Sequence, residues 1–417
     1  MLGNQWRHGG KMDRPVLNLR HLRAFREVAR RNNVSEASGY VHLSQPAITQ
    51  AIAKLEGLLD VRLFDRRNDG MFVTDIGGRF LVRVDRALTF LARGAAAALQ
   101  TAPRSRNRGF GNFDQLLTAA QLRALVAVSR AKNFSLAAKQ AGVSQPSLHR
   151  AARDMERLSG VALFEKVSHG IQLTRSGEVL TQFVKLARAE LDQGFVEISE
   201  LKGFDAGVIV IGSLPLARAF VLPRAINQLA AQYPDVQVNV VDGPYDDLLH
   251  GLRHGEIDML IGALRDPVPI DDVEQEKLFD DRLAIVARAG HPVAMQKRPS
   301  LAQLGQYGWV VPRPGAPTRD HFEELMADVE KIPPLVETSS LILARGLLLE
   351  SDRLAIISAH QVRHEIDQGL LVRIPVDLSA SDRPIGLTLR RDWVPTNSQQ
   401  GFLDALRDAS AAMTGSS

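Results

Sequence analysis

The 417-residue chain contains no cysteine. That excludes a disulfide scaffold, a cysteine-ligated zinc or iron–sulfur site and a thiol nucleophile. No uninterrupted apolar run of about 18 residues occurs, so no membrane span is expected. The opening stretch Met1 to Pro15 is polar, carries Trp6, Arg7, His8 and Lys11, and has no apolar segment of signal-peptide length. A soluble cytoplasmic protein is the expectation. Also missing are a P-loop, a Gly-x-Gly-x-x-Gly and a Gly-x-Ser-x-Gly string. The pairs His250/His254 and His360/His364 have an i,i+4 spacing that could hold a metal. No third ligand is placed beside either pair, so they read as surface histidines and no metal or cofactor is expected. With no nucleophile–base or metal constellation, an enzyme is not expected.

Net charge is nearly absent too, at +4, but that value is a sum of opposites. Residues 1–203 hold 31 Lys+Arg against 18 Asp+Glu, a net of +13. The remainder holds 20 against 29, a net of −9. This split suggests a nucleic-acid-binding front and an acidic globular back, and the length suggests several domains.

What the chain does have is an internal repeat. Leu22 to Phe80 aligns with Leu122 to Leu180 at an offset of 100, without a gap. Leu22/Leu122, Val28/Val128, Asn33/Asn133, Ser44-Gln45-Pro46/Ser144-Gln145-Pro146, Glu56/Glu156, Leu63-Phe64/Leu163-Phe164, Gly70/Gly170, Thr74/Thr174 and Gly77/Gly177 are identical. Two copies are too few for a solenoid and mark a tandem duplication. In each copy Leu22, Phe25 and Val28, or Leu122, Leu125 and Val128, recur at helical spacing. Ser35 and Ser135 then read as N-caps of a short second helix. Ser44 and Ser144 cap a third, with Pro46 and Pro146 in its first turn, where a missing N–H costs nothing. Its buried face is Ile48, Ile52, Leu55 and Leu58, or Leu148, Ala152, Met155 and Leu158. Two short apolar runs around Asn68-Asp69-Gly70 or Ser168-His169-Gly170 predict a hairpin wing. Thr74 and Thr174 cap a long fourth helix, reaching about Leu99 and Leu201.

A short turn between the second and third helices is the helix-turn-helix arrangement, in which the third helix enters the DNA major groove. The residues placed for contact are Ser44, Gln45, Pro46, Thr49, Gln50 and Lys54 in the first copy, with wing residues Arg66 and Arg67. In the second copy they are Ser144, Gln145, Pro146, Ser147, His149, Arg150 and Arg153, with Lys166 on the wing. Apart from the prolines, these side chains can hydrogen-bond or pair with phosphate. Arg150 suits guanine and Gln50 adenine.

Each copy resembles the winged helix-turn-helix of LysR-type transcriptional regulators, through the Ser-Gln-Pro turn, the Leu-Phe pair and Thr-x-x-Gly, found twice in register. Strand–helix–strand alternation follows from Val208 onward and argues for a parallel sheet with helical crossovers. Tyr233-Pro234-Asp235-Val236 and Gly255-Glu256-Ile257-Asp258 resemble the family's effector domain, an α/β two-lobed fold like periplasmic solute-binding proteins. The expected organisation is a first winged helix-turn-helix with its long helix (17–100), a flexible basic linker (101–114), a second winged helix-turn-helix with a long linker helix (115–203) and a two-lobed effector domain (204–410). The family usually carries one head, so the first copy is the addition. Asp60 stands in that copy where the family has a glycine.

The resemblance implies double-stranded DNA and a small-molecule effector as partners, and a homodimer, through the long helix of the second copy, or a homotetramer. A dimer would then carry four heads. Mapping the family pattern places the effector at Ser213, Leu214, Pro244, Tyr245, Ala263 and Leu264 in one lobe and Thr318, Ser339 and Ser340 in the other. The strings around Ser213 and Gly243-Pro244 resemble regulators of sugar-binding-protein or protocatechuate-catabolism genes, which suggests a sugar or an aromatic acid. The other reading makes the first copy a docking or autoinhibitory module folded onto the second, through Met71-Phe72-Val73 or Ala95 to Ala98.

Overall fold

The computed structural model describes residues 16–102, 109–168, 170–203, 207–330, 333–378 and 382–414. Residues 1–15, part of the basic linker and His169 at the second wing tip lie outside the described residues. The first copy folds as α1 (Leu19–Arg31), α2 (Val34–Val41), α3 (Gln45–Leu59), β1 (Phe64–Arg67), β2 (Gly70–Val73) and α4 (Asp75–Thr101). The second follows as α5 (Ala119–Ala131), α6 (Phe134–Gln140), α7 (Gln145–Ser159), β3 (Phe164–Val167), β4 (Gly170–Leu173) and α8 (Arg175–Leu201). Every element of the second copy starts 100 residues after its counterpart.

The caps explain where the helices begin. Ser44 accepts from the Ala47 N–H and Ser144 from the Ser147 N–H. Thr74 and Thr174 accept from Gly77 and Gly177. Each such cap contributes about 1 kcal/mol. At the second helix the expectation needs correcting. Asn33 and Asn133, not Ser35 and Ser135, are the caps, and each accepts from two backbone N–H groups. The short amide side chain reaches both donors, so the helix starts earlier than a serine cap would place it.

Two contacts then fix the wing. The Glu56 carboxylate accepts from the Leu63 and Phe64 N–H groups at 2.8 and 3.3 Å, and Glu156 does the same for Leu163 and Phe164 at 2.9 and 3.1 Å. At the tip, Gly70 lies so close to the α1 C-terminus that a Cβ would meet the Asn32 carbonyl oxygen at 2.4 Å, and only glycine fits. The hairpin is thereby tied to both α1 and α3.

The linker is ordered further than its composition predicts. From Gly109 onward it is built into the first unit: Phe113 is fully buried, Leu117 nearly so, and the Asp114 carbonyl accepts from Arg23 at 2.5 Å. Two apolar anchors in a stretch rich in Arg, Pro, Gly and Asn are the physical reason.

The long helices α4 and α8 pack antiparallel. Thr101 Oγ1 lies 3.1 Å from Ser176 Oγ at one end, and Phe80 packs on Gly194 at the other. Between them Phe90 and Phe183 meet with centroids 6.3 Å apart. At Gly94 the helices come so close that an added Cβ would sit 2.5 Å from that of Phe183. One continuous apolar core therefore runs from Leu22 and Phe25 through Phe80, Val84 and Leu91 to Leu180, Val184 and Phe195. In its middle Arg83, 1% exposed, donates to Glu190 at 3.0 Å, Glu197 at 2.5 Å and Gln193 at 2.8 Å. Burial alone would lower the Arg83 pKa, but the bonds and charges of Glu197 and Glu190 outweigh it and hold the guanidinium above its ordinary value. The apolar face of α8, the helix through which the family resemblance implies a dimer, is thus covered by α4 of the same chain.

The second compact unit comprises Ile209–Arg253 and Ile257–Ser417. Its elements are β5 (Val208–Ser213), α9 (Val221–Gln232), β6 (Gln237–Asp242), α10 (Tyr245–Arg253), β7 (Met259–Ala263), β8 (Val273–Asp281), β9 (Leu283–Arg288), α11 (Leu301–Leu304), β10 (Trp309–Val311), α12 (Pro317–Leu325), β11 (Val336–Glu337), α13 (Leu341–Leu349), β12 (Leu354–Ser358), α14 (Arg363–Asp367), β13 (Leu371–Ile374), β14 (Arg383–Arg390) and α15 (Asn397–Thr414). They form two five-stranded sheets, β6-β5-β7-β14-β8 and β11-β10-β12-β9-β13. Each sheet with its helices is one lobe. The sheets are mixed rather than purely parallel. β5 and β7 are parallel, as the strand–helix–strand pattern predicts, but β14 returns from the second lobe and runs antiparallel to both β7 and β8.

Candidate nucleic-acid interface and effector cleft

The third helix of each copy buries one face and exposes the other. Ile48, Ile52 and Leu55, or Leu148, Ala152 and Met155, are buried. Leu58, expected on the buried face, is instead 40% exposed, because Leu59 takes the inward position at the helix end. Ser44, Gln45, Pro46, Gln50 and Lys54 are exposed, as are Ser144, Gln145, Pro146, Ser147, His149, Arg150 and Arg153. Thr49 is half-buried and spends its hydroxyl on the Gln45 carbonyl of its own helix at 3.0 Å.

Several candidates already have local tasks. Gln45 pairs with Ser35 at 2.8 Å and Gln145 with Ser135 at 2.9 Å, an equivalent bond in both copies that joins the second helix to the third. His149 packs at a tilt against Phe134, ring centroids 5.0 Å apart, Arg153 pairs with Glu156 at 3.2 Å, and Arg67 lies 4.9 Å over the Phe72 ring. Gln50, Lys54, Arg66, Arg150 and Lys166 have no hydrogen-bond or ion-pair partner among the described residues. Burial and then the charge of Lys54 hold the His21 pKa below its ordinary value. Asp60, the departure from the family glycine, adopts the left-handed conformation at φ 53°, where Gly160 sits at φ 68°. The aspartate keeps the turn geometry at a conformational cost.

In the second unit the strand ends converge. The Leu214 N–H donates to Ile261 at 3.0 Å, and Leu264 donates to Pro384 at 2.9 Å, so the ends of β5, β7 and the start of β14 are adjacent. Tyr245, at the start of α10, lies under the Arg265 guanidinium at 4.6 Å, and Arg265 reaches the Gly315 carbonyl in the other lobe at 3.5 Å. Arg383 bridges the lobes as well: it donates to Asp281 at 2.8 and 3.0 Å and to Thr318. Asp281 is fully buried and also accepts from Ser358. Ser213 is buried, its hydroxyl donating to the Leu214 carbonyl. Ser340 is exposed and caps α13, and no hydrogen bond among the described residues joins Ser339 or Ser340 to this cluster.

One polar atom stands out. The Tyr245 hydroxyl is buried and has no hydrogen-bond partner, and burial raises its pKa. An orphaned hydroxyl beside a guanidinium is what a polar ligand would satisfy. Arg265 and Arg383 were missed by the sequence reading. Their only signal was that each adjoins a predicted strand end. Of the four histidines, His250 and His364 are exposed, His254 is buried and His360 half-buried, so the surface reading holds for one member of each pair. Among the described residues no cluster of metal-ligating side chains occurs, and no helix is long and apolar enough to cross a membrane.

Comparisons with known proteins agree with this geometry. The family model for the bacterial regulatory helix-turn-helix protein, lysR family, matches twice, over residues 19–78 and 119–178. The LysR substrate binding domain matches residues 202–411. The HTH-type transcriptional regulator GalR of Pseudomonas putida is 35% identical, over 95% of this chain and 98% of its own length. PcaQ of Agrobacterium fabrum is 28% identical over 72% of this chain and 97% of its own, leaving unmatched a stretch about the size of one head. Among solved structures, ArgP from Mycobacterium tuberculosis shares the fold at a TM-score of 0.55, with 17% identity, covering 70% of this chain and 96% of that one. The chain belongs to the LysR family of DNA-binding transcriptional regulators, which are not enzymes, and it carries the family's helix-turn-helix twice ahead of an effector-binding domain.

Proposed function

We propose that both heads read double-stranded DNA, that Gln50, Lys54 and Arg66 carry the first contact and Arg150, Arg153 and Lys166 the second, and that the regulator works in the cytoplasm under control of a small effector. The observation that supports it is the pair of exposed third-helix faces, at equivalent positions in the two copies, on which Gln50, Lys54 and Arg150 have no hydrogen-bond or ion-pair partner among the described residues. The first copy packs on the second through α4 and α8, Ala95 and Ala98 included, and this leaves both faces exposed, so docking alone gives the face of the first copy no task. Footprinting on the DNA upstream of the protein's own gene tests the reading. A protected stretch longer than one head covers, with affinity falling steeply as salt rises, is expected. A one-head footprint overturns the claim for the first copy.

For the effector, the Tyr245 hydroxyl and the Arg265 guanidinium above its ring favour a small acid over a neutral sugar. Asp281 already neutralises Arg383, so the positive charge for a carboxylate is that of Arg265, which has no carboxylate partner among the described residues. Calorimetric titration with aromatic acids and with neutral sugars separates the two. Binding of acids that Tyr245→Phe weakens about tenfold, one hydrogen bond's worth, is expected; sugar binding unaffected by that change counts against it.

A further inference from the structure

Duplication has not left the two long helices alike where they touch. At equivalent positions α4 carries Arg83, Arg86, Phe90, Arg93 and Ala97, while α8 carries Phe183, Leu186, Glu190, Gln193 and Glu197. The cations lie on one copy and the anions on the other. In the antiparallel pair they meet: Arg83 joins Glu190 and Glu197, and Arg86 joins Glu190 at 2.8 Å. Put two α8 helices in the same register, and Phe183 and Leu186 take the places of Arg83 and Arg86. Glu190, whose side chain is 5% exposed, would then be buried with no cation. Two α4 helices would instead bury Arg83 against Phe90 and Arg93. An uncompensated buried charge is strongly destabilising, so each helix selects the other over a copy of itself.

We propose that α4 is the built-in partner of α8, so that one chain is by itself a complete two-headed DNA-reading unit and head pairing needs no second copy. Any assembly of several chains then uses surfaces other than α8. The path of the chain supports pairing within one molecule. Leaving α4, it is anchored on the second copy at Thr101, beside Ser176, and again where the Phe110 N–H donates to Leu158 at 3.0 Å. The nine peptide links between these anchors can reach about 30 Å. So short a tether holds the two helices at an effective concentration of roughly millimolar, far above that of a second chain. The claim of two half-sites per chain rests on the proposed function above; the claim of pairing does not.

The absence of native cysteine makes the test clean. In the full chain, Thr101→Cys with Ser176→Cys replaces two oxygens already in contact. Mild oxidation at micromolar protein is expected to remove both thiols from maleimide labelling while the chain runs at single-chain mass on a non-reducing gel. A mixture of the two single variants should give no cross-linked pair. A two-chain band in either sample, or two thiols that stay reactive, overturns the proposal. Should this variant not fold, the exposed pair Asp60→Cys with Lys202→Cys, whose native side chains meet at 3.1 Å, can be bridged by a short bismaleimide and read the same way. Native mass spectrometry of the locked protein on the footprinted DNA then counts chains. One chain per pair of half-sites supports the proposal; two chains overturn its DNA-reading part. An in-chain bridge combined with a footprint that Gln50→Ala leaves unchanged keeps the pairing and removes the first head from DNA.

Discussion

Arg83→Met cuts the buried ionic centre of the helix pair while keeping most of the side-chain volume. Removing one partner of a buried charge network costs about 3–5 kcal/mol, because the remaining charge is left without compensation. Here the lower end applies: Glu190 keeps Arg86 at 2.8 Å, and Glu197 is partly exposed at 15%. For a unit of this size, about 3 kcal/mol corresponds to a fall in Tm of roughly 6–12 °C. Differential scanning calorimetry of the full chain reads it in the transition of the first unit. A fall of less than about 2 °C would refute the reasoning, since it would mean the network contributes under about 1 kcal/mol. A second arm checks the cause. Adding Glu190→Met, Glu197→Met and Arg86→Met removes the stranded carboxylates together with the cation that Glu190 would otherwise leave behind, and stability should return to within about 1 kcal/mol of the native chain, as apolar replacement of whole buried networks does.

Arg150→Ala should weaken specific DNA binding about 5- to 150-fold while changing non-specific binding little, the mark of a bidentate base contact; equal losses in a competition shift assay would reassign Arg150 to phosphate. Gly94→Ala drives a methyl into Phe183 and should lower stability by about 1–3 kcal/mol in urea unfolding, whereas Gly39→Ala, at a helical position with open space around it, should not. Burial, opposed by Asp281, holds the His360 pKa below its ordinary value. The unfolded chain therefore binds that proton first, and stability present above about pH 6.5 is lost as pH falls toward the folded value. His360→Gln should flatten this slope in a pH series of thermal melts, and an unchanged slope would place its origin elsewhere.

The repeat was legible because helix-turn-helix geometry is local. Ser44, Thr74 and the apolar periodicity around Ile48 each specify their own element, and the 100-residue offset then doubles every inference. The misplaced caps at Ser35 and Ser135 arose from a neighbouring asparagine that competes for the same N–H groups. What periodicity does not carry is the partner of an amphipathic helix. The apolar stripe of α8 looks the same whether another chain or α4 covers it. Two signals were nonetheless present in the sequence: Gly94/Gly194 continues the register past the aligned region, and Arg83 against Glu190 and Glu197 places opposite charges on otherwise apolar stripes. The candidate effector cleft was only half legible, since the contacts of Arg265 with Gly315 and of Arg383 with Thr318 cross a lobe boundary that sequence order does not encode.

Tying the heads together changes what they are free to become. A regulator that pairs identical chains presents the same reading surface twice, and its operator is drawn toward a palindrome. The third helices here differ where they face outward: Ala47 against Ser147, Thr49 against His149, Gln50 against Arg150 and Lys54 against Asp154. Each can be altered by mutation without altering its companion. On the proposed reading, in which both heads contact DNA, the operator has no reason to keep dyad symmetry, and a search for inverted repeats upstream of the target genes would overlook it.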